Sequence, residues 1–152
     1  MRISARADYA VRACAALASA QDDAPTKGPA LAGAQDIPLG FLENILAELR
    51  HAGIVRTQRG ANGGYLLNRP ADRITVADVI RAVDGPLASV RGAPPEDIVY
   101  EGAAESLQQV WIAVRASLRS VVETVTLADL AAGRLPKRVV DLARDPEAWV
   151  TR

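Results

Sequence analysis

Apolar positions mark out the chain before anything else does. Ile3, Ala7, Ala10, Val11, Cys14, Leu17 and Ala18 recur at helical spacing, with Ser4 placed as an N-cap, so the pattern predicts a first helix over 4–20. Gln21 to Pro25 reads as a turn. Pro29 sits where a short second helix begins, running through Leu31 to Ala34. Leu42, Ile45, Leu46 and Leu49 then fall at i, i+3, i+4 and i+7 until Gly53 stops them, which predicts a third helix over 39–52. Its other face carries Gly40, Glu43, Asn44 and Ala47, small or polar residues suited to a groove.

After Gly53 the periodicity changes. Ile54 to Arg59 and Tyr65 to Asn68 read as two short strands around the glycine-rich tip Gly60-Ala61-Asn62-Gly63-Gly64, a β-hairpin. Thr75 and Asp78 form a capping-box pattern ahead of Val76, Val79, Ile80 and Val83, and Gly85-Pro86 ends that fourth helix. Residues 87–102 carry no periodicity and read as a loop or mobile segment. Leu107, Trp111, Val114, Leu118, Val121 and Val125 then repeat with spacing 4, 3, 4, 3, 4, a heptad seam on a helix predicted over 103–125. Thr126 and Asp129 cap a further short helix over 127–132, and Pro146 limits any helix in the tail over 133–152.

Three helices followed at once by a hairpin give the order of a winged helix-turn-helix, in which the third helix enters the major groove and the hairpin lies over neighbouring backbone or minor groove. The predicted fold is therefore mainly α with one small β-hairpin. A winged domain over 1–86 is followed by the loop over 87–102, a dimerisation helix with its short capping helix over 103–132, and the tail. The chemistry suits DNA. Asn44 can pair bidentately with adenine, Glu43 can accept from cytosine N4, and Arg59 can reach a base edge or a narrow minor groove. Gly60, Gly63 and Gly64 let the tip turn and let backbone N–H groups approach phosphates.

Charge sharpens this picture. The 152 residues carry 18 basic and 18 acidic side chains, so net charge alone speaks against a strongly basic nucleic-acid binder. Yet Arg50, Arg56, Arg59, Arg69 and Arg73 face only Asp72 between 50 and 73, while Glu96 to Glu105 holds four acids and no base. Cys14 is the sole cysteine and His51 the sole histidine, so neither a disulfide nor a cysteine-ligated metal site can be built within one chain, and no nucleophile and base pair for an enzyme is apparent. No metal and no cofactor are expected. The N-terminal pattern lacks the apolar run of a signal peptide or membrane span, which gives a cytoplasmic expectation without membrane association.

The strings Met1-Arg2-Ile3-Ser4, Asp8-Tyr9-Ala10, Ile37 through Leu46, Leu49-Arg50, Gly53-Ile54-Val55 and above all Arg59-Gly60-Ala61-Asn62-Gly63-Gly64-Tyr65-Leu66-Leu67 resemble the Rrf2 family of bacterial regulators. Ile74 through Ile80, Val83 through Pro86 and Thr126 through Leu130 continue the resemblance, which spans about 1–132. It implies a homodimer held by the long helix, recognition-helix contacts from Leu39, Gly40, Phe41, Glu43 and Asn44, and wing contacts from Arg59, Gly60, Ala61, Asn62, Gly63 and Gly64. At Gly40 the family commonly has a hydroxyl residue and at Phe41 a tyrosine. Cluster-binding members carry three cysteines before the long helix, whereas 87–106 here holds neither cysteine nor histidine. The resemblance is thus to clusterless members, which respond to a metabolite, a protein partner or another signal.

Each singled-out residue has a plainer reading beside it. Cys14 is a thiol sensor or, on its apolar face, a packing residue. His51 is a phosphate contact or a solvated helix end. Glu43 reads a base or pairs with a base such as Arg50. Trp111 and Trp149 anchor packing, or Trp111 walls a ligand pocket with the 87–102 loop. The function expected is a regulator, acting as a repressor in the family's commoner mode. It would bind a palindromic operator on double-stranded DNA, with Arg50, Arg56 and Arg59 on phosphates. The alternative is a winged-helix interaction module that docks a metabolic enzyme or other partner and binds DNA weakly.

Overall fold

The computed structural model describes residues 2–20 and 24–151; the turn expected at Gln21-Asp22-Asp23 lies outside the described residues. Helix α1 (Ala5–Ala18) starts where the Ser4 hydroxyl accepts from the Ala7 amide at 2.9 Å. It is followed by α2 (Gly28–Gln35) and α3 (Leu39–His51). Strands β1 (Val55–Gln58) and β2 (Gly64–Leu67) form the antiparallel hairpin, with Val55 opposite Leu67 and Gln58 opposite Gly64. Next come α4 (Val76–Asp84), α5 (Leu107–Val122), α6 (Leu127–Ala132) and α7 (Lys137–Ala143). The capping boxes read at Thr75/Asp78 and Thr126/Asp129 both form, each with two reciprocal bonds. The tail makes its short helix α7 ahead of Pro146.

One core joins α1 to α4, β1 and α6. Leu31, Leu42, Ile45, Leu46, Leu49, Val55, Ile74, Val79 and Leu127 are its fully buried large side chains, with Ala7, Ala10, Ala13 and Cys14 as the close-packing face of α1. Leu127 is part of this core, because α6 packs on α1. The 87–102 segment is a loop with contacts of its own. Val90 and Ala93 pair across a tight turn, Pro95 and Ile98 are buried, and the Gln108 amide donates to the carbonyls of Glu96 (3.1 Å) and Ile98 (2.9 Å).

The long helix is shorter than 103–125. A separate 3₁₀ turn occupies Gly102–Ala104, entered through Gly102 at φ +62°. At the other end the Thr124 hydroxyl donates to the carbonyls of Ser120 (3.3 Å) and Val121 (2.8 Å), competing with the next backbone turn. Val125 consequently leaves the seam. It is buried in its own chain, and its carbonyl accepts from the Val76 amide at 2.9 Å.

The Cys14 thiol lies wholly inside the core, where burial pushes its pKa up to about 12. The packing reading is the one the structure supports. Because the folded thiol titrates above its ordinary value, this contribution to stability is full below about pH 8.5, then declines as pH rises toward the folded value of about 12. Unfolding melts of the wild type and Cys14→Ala between pH 8 and 11 are expected to converge as pH rises, and parallel curves would contradict the assignment.

Candidate DNA interface

The helix-turn-helix is set by a left-handed residue. Asp36 at φ +51° ends α2, the Ile37 amide returns to the Ala32 carbonyl at 3.0 Å, and Pro38 starts α3 in a new direction. Leu42, Ile45, Leu46 and Leu49 then lock one face of α3 into the core. The opposite face follows from that locking. Leu39, Gly40, Phe41, Glu43, Asn44 and Arg50 are all exposed, and Phe41 retains 60 % of its surface. A large apolar ring left in water beside polar neighbours suits the methyl-bearing floor of a major groove.

The hairpin packs beside α3 and is fastened to the segment ahead of α2. Thr26, just ahead of α2, pairs with Tyr65 through two backbone bonds, the Thr26 amide to the Tyr65 carbonyl at 3.0 Å and the Tyr65 amide to the Thr26 carbonyl at 2.8 Å. Arg56, Arg59, Gly60, Ala61 and Asn62 are exposed, and Gly64 is half-buried. Gly63 departs from the expectation. It is buried, and its amide donates to the Gly60 carbonyl at 3.0 Å, so it closes the tip instead of offering an N–H to a phosphate. Among the described residues Glu43, Asn44, Arg50, Arg56 and Arg59 make no side-chain hydrogen bond or ion pair. Glu43 therefore does not pair with Arg50. The glutamate of α3 that is engaged is Glu48, held by Arg6 of α1, which also donates to the Val83 carbonyl at 2.9 Å.

The sequence reading missed two features of this surface. Lys27 is exposed at the N-cap of α2, and the neighbouring Thr26 pairs with the wing at Tyr65, so this cation is brought to the hairpin by a pairing that leaves no local pattern. Arg6 with Glu48 ties α1 to α3, a pairing across 42 residues that no local pattern reveals. His51 ends α3 exposed.

Helix α5 carries the other predicted surface. No residue of this 16-residue helix is fully buried. Leu107, Trp111, Val114, Leu118 and Val121 are half-covered by their own chain, and the Trp111 indole donates to the Tyr100 hydroxyl at 3.1 Å. Val110, Ala113, Ala116 and Ser117 on the outward side are exposed. Among the described residues no helix is long and apolar enough to cross a membrane, and no group of histidine, cysteine and acid side chains is placed to hold a metal. With Cys14 in the core and no cysteine or histidine over 87–106, the side chains present do not fit a cysteine-ligated iron–sulfur cluster.

Comparison with known proteins gives a consistent result. The profile of the family described as "Rrf2: Iron-dependent Transcriptional regulator" matches residues 3–133. Rv1287 of Mycobacterium tuberculosis, a protein assigned to the HTH-type transcriptional regulators, is 51 % identical over 148 residues, covering 97 % of this chain and 92 % of its own. The HTH-type transcriptional regulator CymR of Bacillus subtilis is 33 % identical over 86 % of this chain and 90 % of its own. The solved structure of CymR, described as the global cysteine regulator of B. subtilis, superposes with a TM-score of 0.74 at 30 % identity, covering 88 % of this chain and 98 % of that one. IscR of T. potens superposes with a TM-score of 0.69 at 28 % identity over 100 % of this chain and 93 % of its own.

Proposed function

Since the chain belongs to the Rrf2 family of DNA-binding transcriptional regulators, we propose that it acts as a homodimeric repressor on a palindromic operator, without an iron–sulfur cluster. The observation that carries this reading is the exposed, unpaired face of α3 standing beside a wing that presents Arg56 and Arg59. Leu39, Phe41, Glu43 and Asn44 read base edges, while Arg50, Arg56, Arg59 and the amides around Gly60, Ala61 and Asn62 hold the backbone. Dimerisation places two recognition helices one helical turn, or a multiple of it, apart. Helix α5 supplies that contact through the exposed side of its apolar stripe, where Val110, Ala113 and Ser117 continue the half-covered Val121.

Selection from a random double-stranded DNA pool with untreated protein tests this directly. Enrichment of one inverted repeat is the expected result. Failure to enrich any sequence, together with a stable complex with another cell protein, would favour the interaction module. On the selected operator, three arginines per protomer give a slope of log affinity against log salt of about −5. Arg59→Ala is expected to reduce that slope by about 2 in the dimer. A variant with an unchanged slope would remove Arg59 from the interface. Asn44→Ala is expected to relax preference at one base pair per half-site by about 1–3 kcal/mol.

A further inference from the structure

A second surface with its own chemistry lies where α4 hands over to the 87–102 segment. A cleft of 430 Å³ is lined by Arg81 of α4, Gly85, Pro86 and Leu87, and by Arg115 and Arg119 of α5. Three guanidiniums converge there, each with five N–H donors. Two carboxylates serve them: a single oxygen of Glu123 accepts from both Arg81 and Arg119, and Glu96 accepts from Arg115 at 2.6 Å. One positive charge and many donors are left over. The guanidinium-bearing side chains are between 22 % and 51 % exposed, so the surplus is open to a ligand.

The neighbouring turn of α5 adds a different character. Ala88, Ser89, Val90 and Arg91 face Trp111 and Val114 across a cleft of 360 Å³. Trp111, Arg115 and Arg119 succeed one another at one-turn intervals on α5, while residues 85–91 run alongside, so the two clefts lie end to end. The result is a groove with three arginines at one end and, at the other, the apolar and aromatic Val90, Val114 and Trp111 beside a further cation, Arg91. Neither the recognition helix nor the wing contributes a residue to it.

We propose that this groove binds a small anionic metabolite with a carboxylate or phosphate head and a compact apolar or aromatic body. The head takes the forked donors of Arg115 and Arg119, which match planar or tetrahedral oxyanions. The body lies along Leu87 and Val90 toward the Trp111 ring. A ligand so held touches both the end of α4 and the middle of α5, the two parts that a regulator of this architecture would have to couple.

The test uses the full-length ¹⁵N-labelled protein without DNA, so its outcome is separate from that of the DNA reading. The chain has two tryptophans, and Trp149→Phe assigns their two indole signals. Phenylacetate and phenyl phosphate are titrated as carboxylate and phosphate arms, with inorganic phosphate as head alone and benzyl alcohol as body alone. At least one aromatic anion is expected to shift the Trp111 signal saturably and leave that of Trp149 in place. Inorganic phosphate and benzyl alcohol are expected to bind at least roughly tenfold more weakly, and Arg119→Gln and Arg115→Gln to weaken the preferred anion by a similar factor. The proposal is overturned if neither aromatic anion saturates, if benzyl alcohol matches them, if both indole signals move together, or if both arginine variants bind as the wild type does.

Discussion

Gly63→Ala is expected to cost the protein its wing while sparing its helices. A Cβ at this position would stand 2.2 Å from the Gln58 carbonyl oxygen and 2.9 Å from the Arg59 carbonyl carbon. Both are backbone atoms, and the Gly63 amide is committed to Gly60, so no side chain can rotate away to relieve the overlap. The tip must open, and opening it displaces Arg59, the cation at the end of β1. Stability is expected to fall by about 1–3 kcal/mol, which for a chain of this size lowers Tm by roughly 2–12 °C. Helical circular dichroism below the transition is expected to stay at the wild-type level while operator affinity drops at least about tenfold. Wild-type affinity in a folded Gly63→Ala protein would show that the wing does not touch DNA.

The second large effect concerns α5. Ala113→Arg places a long cation in the middle of the outward side, flanked by Val110, Ala116 and Ser117. Because Ala113 is exposed in the single chain, the substitution has no core to disturb, and the monomer fold and its Tm at low concentration are expected to survive. Two such helices brought together would bury opposed like charges without partners. Sedimentation is expected to show a dimer for the wild type and a monomer for Ala113→Arg. Operator affinity then loses the linkage of its two half-sites, a factor of about 10²–10⁴. A dimer that persists in Ala113→Arg would place the contact elsewhere on the chain.

What sequence patterning reveals of this molecule divides by the range of the interactions. The order of helices and hairpin, both capping boxes, and the buried Leu42, Ile45, Leu46 and Leu49 stripe all rest on spacings of three or four residues or on alternation, and all were legible. The exposed side of α3 followed as the complement of that stripe. The boundaries of α5 were not legible. Apolar spacing alone carried the heptad to Val125, but the Thr124 hydroxyl and the bond between the Val76 amide and the Val125 carbonyl end the helix first, and the second of these joins residues far apart in the chain. The same is true of Arg6 with Glu48 and of Thr26 with Tyr65, tertiary pairings that leave no periodic trace. The glycines of the hairpin motif mark a conformational requirement in the sequence, but that it is the Gly63 amide that closes the turn on Gly60 depends on three-dimensional geometry.

The two bonds that bracket Val125 and Leu127 have a mechanical meaning. The chain leaves the winged core after Asp84 and is stitched back into it when the Val76 amide meets the Val125 carbonyl and the Leu127 amide meets the Ile74 carbonyl, each at 2.9 Å. Everything between, α5 included, is a detour with both feet on the same platform. An arm on one hinge can swing without disturbing its base, but an arch cannot. Any sliding or tilting of α5 must strain one foot against the other, and the strain falls on the start of α4 and on α6, which rests on α1. Such an architecture places the tightest demand on the footings, Ile74, Val76, Val125 and Leu127, where the backbone of the span is tied to the core.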